Sequence, residues 1–255
     1  MRWVERALCL CICLALTACA GGDGIKRAPV NEDSKEAASL QVKLGRGYMD
    51  QGDLETALER LQRALELDPR NVDAYTLMGV LHERIRRPGK AETYYRQAVR
   101  LAPENGEVNN NFGAFLCGTG RYREADEYFI KALDDPFYRS SAGALANAGV
   151  CALKAGDADK AEGYFRRVLD YQPNHVTALF ELARLSYLKH DDMRARAFLQ
   201  RLETGARIDP VMLDLGQRIE TRIGDTAAAK RYAKRLKNEF PDYQPDGSLD
   251  RLGPQ

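Results

Sequence analysis

Six cysteines and three histidines are the side chains of this 255-residue chain best suited to nucleophilic, redox or metal chemistry. Their placing argues against most of it. His82, His175 and His190 lie in different segments with no metal-ligand spacing around them. There is no His-Glu-x-x-His pair, no Gly-x-Ser-x-Gly elbow and no phosphate-cradling Gly-rich loop. His82 occupies a large-residue position on a helix, where packing is the simpler role. Cys9, Cys11 and Cys13 sit in the apolar run from Ala7 to Leu16, behind Arg2 and Arg6. Such a run is too short to span a bilayer and reads as a secretory signal. Cys19 closes it, and beyond it the only thiols are Cys117 and Cys151.

Leu16-Thr17-Ala18-Cys19 resembles the lipobox of bacterial lipoproteins, in which the Cys thiol is lipidated and the chain is cut just before it. Ordinary signal cleavage beside a chance cysteine is the alternative. The resemblance implies residues 1–18 as a signal peptide and Cys19 as the lipid carrier. Several acyl chains give the stable anchoring that one cannot. Ala20, where inner-membrane lipoproteins of Gram-negative bacteria keep Asp, implies sorting to the periplasmic face of the outer membrane. Without Arg2, Glu5 and Arg6 the formal charge of +1 falls to zero. A neutral mature chain argues against bulk electrostatic binding of nucleic acid. Basic runs such as "HERIRRPGK" read as solvated faces. Residues 19–37 are polar and read as a flexible tether, and residues 244–255 as a frayed tail.

Between them the chain repeats itself. Ala57, Ala91, Ala125, Ala161, Ala195 and Ala229 are separated by 34, 34, 36, 34 and 34 residues. A fixed 34-residue period is the signature of tetratricopeptide (TPR) repeats. Twelve residues before the Ala stands a small residue, Gly45, Gly79, Gly113, Gly149 or Ala183. Four residues after it stands a bulky one, Leu61, Tyr95, Phe129, Phe165 or Leu199. The sixth unit departs from the pattern, with Gln217 and Ala233 at those places and Gly216 beside the first. Small residues let two helices cross closely, and a large neighbour fills the space beside them. Polar turns such as "QGDLETA" and "AGDADKA" supply glycine to end one helix and Asp to cap the next. The expected fold is an all-α, right-handed solenoid of six repeats over 38–243, starting near 38, 72, 106, 142, 176 and 210. Repeats 5 and 6 are expected to be degenerate, with repeat 6 as a cap.

A repeat array of this kind offers a curved surface rather than a nucleophile. In TPR proteins the first helix of each repeat, helix A, lines the concave groove. Counting from the repeat starts, Val42, Arg46 and Met49, then Val80, Asn110, Phe180 and Tyr187, are expected to look inward. Val42 and Arg46 replace the Lys and Asn with which chaperone-binding TPR proteins clamp a C-terminal carboxylate. The mixed, fairly apolar groove suits a peptide or amphipathic helix instead. We expect no catalytic residue, metal, cofactor or small-molecule substrate.

The lipobox, the six repeats, the segment "NNNFGAFLCGTGRYREADEYFIKAL" and the two-residue lengthening near "DDPFYRSSAGAL" together resemble the type IV pilus biogenesis and stability lipoproteins. These include the pilotins of the pilus secretin. The resemblance implies an outer-membrane scaffold that binds secretin subunits and promotes their localisation and assembly into multimers. Alternatives are a pilus stabiliser with no part in secretin targeting, and an envelope adaptor for peptidoglycan enzymes. Cys117 and Cys151 fall on the A helices of adjacent repeats, on either side of the lengthening. In an oxidising compartment we expect them to form a disulfide; two independent buried thiols are the alternative.

Overall fold

A computed structural model of the chain describes residues 31–205 and 207–251. The signal segment and Cys19 lie outside the described residues. Among those residues the chain forms twelve α-helices and no strand: α1 (Glu32–Gln51), α2 (Leu54–Leu67), α3 (Val72–Arg84), α4 (Pro88–Leu101), α5 (Gly106–Gly118), α6 (Tyr122–Asp134), α7 (Ser141–Lys154), α8 (Ala158–Tyr171), α9 (Val176–Leu188), α10 (Asp192–Glu203), α11 (Pro210–Ile223) and α12 (Thr226–Glu239). Odd-numbered helices are the A helices and even-numbered ones the B helices of six hairpins. Each hairpin packs on the next, and the A helices α1 and α3, α5 and α7, and α9 and α11 also touch one another. The result is the all-α solenoid that the period implies.

Local signals set these boundaries. Asp53, Asp157, Asp191 and Asp225 each accept the backbone N–H three residues on, which caps a B helix. Asn71, Asn105 and Asp209 cap A helices in the same way, and His175 does so through Nδ1 at 3.3 Å from the Ala178 N–H. Gly52, Gly120, Gly156 and Gly224 turn four of the hairpins with positive φ. Arg86 and His190 adopt that left-handed conformation in the other two, at φ 57 and 60. His82 is buried and stacks on Tyr94, its ring centroid 5.1 Å away. Burial, then the positive charges of Lys90 and Arg87, lowers its pKa from the ordinary value.

The hairpins close on one recurring contact. A Cβ added to Gly45, Gly79, Gly113, Gly149 or Gly216 would lie 2.6–2.9 Å from Leu61, Tyr95, Phe129, Phe165 or Tyr232 respectively. Ala183 takes this place in repeat 5, and both it and Leu199 are buried in one cluster. The contact in repeat 6 corrects the register expected there. Gly216 meets Tyr232, and Ala228 is the buried alanine, whereas Ala229 is only half-buried. The sixth unit is one residue out of phase with the others, and it keeps the small–large pair.

Both ends depart from expectation. The tether was expected to reach residue 37, yet α1 starts at Glu32. Asn31 and Ser34 form a reciprocal capping box, and Lys35 pairs with Glu32 at 2.7 Å, so a polar sequence is still helical. Of the tail expected to fray over 244–255, residues 244–251 instead fold back, and residues 252–255 lie outside the described residues. Ser248–Asp250 form a 3₁₀ turn, and Leu249 is 2% exposed among the side chains of the last core cluster.

The lengthening between repeats 3 and 4 is pinned as well. Asp135 Oδ2 accepts the Gly106 N–H at 2.8 Å, and the Tyr138 ring lies where a Cβ on Gly106 would be. Gly149→Ala is expected to lower unfolding stability by about 1–3 kcal/mol through overpacking against Phe165. Gly143→Ala, on the same helix but facing open space, should stay within about 1 kcal/mol of wild type, on the stabilising side. Urea unfolding measures both.

Candidate functional site: the concave groove

The inward faces of the A helices enclose two open stretches of groove in the first four repeats. One, of about 160 Å³, is lined by Arg46, Met49, Thr76, Val80, Arg84 and Asn111, among others. The other, of about 580 Å³, lies between α5 and α7 and reaches α9. Its walls include Asn110, Asn111, Tyr138, Asn147 and Val150. Glu107 borders both stretches, so they form one path along the array.

Charge and polarity are distributed along this path. Arg46 is exposed near its start, beside Asp50. Arg84 donates to the Met49 carbonyl at 2.7 Å and ties α3 to α1. In the wider stretch Asn147 Nδ2 donates to Asn110 Oδ1 at 3.0 Å, bridging α7 and α5. Asn111 is half-buried beside them. Side-chain amides both donate and accept, so Asn110, Asn111 and Asn147 can pair with the backbone of an extended segment. Val80 and Val150 flank them as apolar contacts. Burial, then the nearby Glu107 charge, pushes the Tyr138 hydroxyl up to about 12, so it stays a neutral hydrogen-bonding group.

Not every residue expected in the groove is brought to it. Arg46, Val80 and Asn110 line it, and Met49 forms part of its floor while 3% exposed. Val42 is buried in the first core cluster, on the α1 stripe of Ala38, Gly45 and Met49. Phe180 lines a separate cleft nearer the C terminus, where Leu249 lies beside it. Tyr187 is capped by the Arg222 guanidinium, 3.8 Å from its ring centroid. Asn111 and Asn147, by contrast, fall one place past the positions taken as inward-facing. Their 36-residue separation equals that of Ala125 and Ala161 and puts them at equivalent places of repeats 3 and 4.

Two features hold the walls of the wider stretch. Cys117 on α5 and Cys151 on α7 are joined in a disulfide, with Cα atoms 5.7 Å apart and both side chains buried. Ion pairs link successive repeats along the B-helix side: Arg121 with Glu92 at 2.6 Å, Lys160 with Asp126 at 2.6 Å, and Lys189 with Glu162 at 2.6 Å. Pairing with Arg121 is the main cause holding the Glu92 carboxyl below its ordinary pKa, and Lys189 does the same for Glu162. Partly exposed pairs of this kind are individually weak, and their use is to fix the stacking of one repeat on the next.

Known proteins resemble this chain in sequence and fold. Tetratricopeptide repeat family models match residues 42–106 and 117–170, and residues 152–217. The type IV pilus assembly protein PilF of Pseudomonas aeruginosa is 29% identical over 247 residues, covering 97% of this chain and 96% of that protein. A solved structure of Pseudomonas aeruginosa PilF superposes with a TM-score of 0.76 over 83% of this chain and 96% of its own. The crystal structure of PilW, a widely conserved type IV pilus biogenesis factor, does so with a TM-score of 0.73 at 32% identity, covering 84% and 96% of the two chains.

Loss of the Cys117–Cys151 bond is expected to lower stability by about 2–4 kcal/mol, since it closes a loop with a separation of 34 residues. Cys117→Ala, Cys151→Ala and the double variant should lose similar amounts in urea unfolding, because each breaks the same link. Thiol labelling at Cys117 and Cys151 of the unreduced wild type should be negligible.

Proposed function

The chain belongs to the tetratricopeptide repeat family and is homologous to the type IV pilus biogenesis proteins PilF and PilW; on that premise we propose that it is an outer-membrane lipoprotein that binds the pilus secretin and promotes its localisation and multimer assembly. The observation that carries this reading is similarity to a pilus assembly protein over nearly the whole length of both chains. The fold implies protein–protein interaction, and the open groove of repeats 1 to 4 supports the reading that the partner binds there. A secretin segment would run along the A helices of repeats 1 to 4. Val80 and Val150 would take its apolar side chains, and Asn110, Asn111 and Asn147 its backbone. Arg46 and Glu107 would add charge selectivity.

Cys19 supplies the second half of the mechanism. Acyl chains on it would hold the scaffold at the periplasmic face of the outer membrane. Scaffold and arriving secretin subunits would then meet on one surface, where the effective concentration is high and a modest groove affinity is enough. Binding, with no covalent step, is the whole of the proposed activity.

A deletion strain tests this. Secretin multimers should be lost from outer-membrane fractions, or mislocalised, and restored by the wild-type gene. Cys19→Ala should restore them poorly. Multimers left unchanged in the outer membrane of the deletion strain would overturn the proposal. If pili were lost at the same time, the role would be stabilisation of the pilus after assembly.

A further inference from the structure

The C-terminal half of the groove is already occupied. Residues 244–251 cross the inward faces of α9 and α11, opposite Phe180 and Arg184 on one helix and Val211, Asp214 and Arg218 on the other. Leu249 is the sole buried residue of this segment and sits in the last core cluster with Phe180 and Val211 packed against it. Arg218 Nη1 holds both carboxylate oxygens of Asp250 at 3.0 Å. Arg184 Nη1 donates to the carbonyl of Arg251. Tyr243, just before the segment, donates its hydroxyl to Asp214 Oδ2 at 3.2 Å. Asp214 also holds Arg218 in place, accepting from its Nε at 2.9 Å.

These contacts have the form of peptide recognition: one buried apolar anchor, one paired carboxylate beside it, and one main-chain carbonyl taken by a fixed donor. They also differ from a repeat-to-repeat interface, where whole rows of apolar side chains interlock. A single buried Leu and a half-exposed ion pair are set against the ordering of eight residues, so the segment is weakly held. A cleft of about 310 Å³, lined by Val150, Leu153, Phe180, Arg184 and Val211, stays open beside Leu249.

We propose that the inward face of repeats 5 and 6 is a second binding site. It accepts an extended segment of a partner protein in which an apolar residue is followed directly by Asp or Glu, and residues 244–251 are its resident intramolecular occupant. A partner segment displaces the strap, with Arg218 transferring from Asp250 to the incoming carboxylate and Arg184 to the incoming carbonyl. This site adjoins the open stretch assigned to secretin at Val150, which lines both, and the proposal does not depend on that assignment.

The full-length chain and a fluorescent octapeptide with the sequence of residues 244–251 provide the test, read by fluorescence anisotropy. Releasing the strap with Leu249→Ala/Asp250→Ala should tighten binding of the free peptide by about tenfold or more, because the internal competitor is gone. Adding Arg218→Ala, or replacing the Leu of the peptide by Ala, should abolish the gain. The milder Asp250→Ala leaves Leu249 and the core beneath it in place, and should shift affinity in the same direction by less. Equal affinity for the wild-type and Asp250→Ala chains, with both folded by circular dichroism, would overturn the proposal. So would a wild-type chain that elutes as a dimer through exchange of tails, since the site would then serve a second copy. No pilus component enters the measurement, so its failure leaves the secretin reading untouched.

Discussion

A glycine packed against a large side chain is the contact on which the rest of this structure depends. In five of the six repeats it lets the A helix approach its B helix until no room is left for a Cβ beside Leu61, Tyr95, Phe129, Phe165 or Tyr232, and in repeat 5 Ala183 takes the glycine's place. Each A helix packs closely on its own B helix and each hairpin on the next, so the A helices come to lie along one surface. The groove is a consequence of that spacing. Replacing the small residue in one repeat would tilt one A helix and misplace groove residues that it does not touch.

The same contact explains what could be read from the chain beforehand. A small–large pair repeated at a fixed interval is legible without coordinates, and so were the six hairpins and the pairing partners of the cysteines. Repeat 6 was harder because Ala227, Ala228 and Ala229 stand together, and composition cannot tell which of three alanines faces the core. The Gly216–Tyr232 spacing settles it. Val42 and Tyr187 show a different limit. A position-counting rule assumes each A helix turns the same face inward, but Val42 joins the buried stripe of α1 and Arg222 of the next repeat covers Tyr187. The polar ends misled for a third reason. A capping box needs two short polar side chains, and a docked tail needs one Leu, so neither raises the average hydrophobicity of its segment.

The disulfide and the amide bridge fix the groove at its least regular point. The lengthening between α6 and α7 interrupts the 34-residue interval where the wider stretch of the groove is formed. Cys117–Cys151 and Asn110–Asn147 both join α5 to α7 there, one through the core and one on the inner surface. A partner segment therefore meets amides already held in position, with less ordering left to do on binding. The groove so built has two unlike halves, an open amide-lined one in repeats 1 to 4 and a self-occupied one in repeats 5 and 6.

Site-specific photo-crosslinking distinguishes the concave surface from every other face of the solenoid. A photoreactive residue at Val80, inside the groove, is compared with one at Ile130, which is exposed on the B helix α6. If the groove holds the secretin, adducts to it form from position 80 and are absent from position 130. Adducts from position 130 with none from position 80 would contradict the groove as the binding surface.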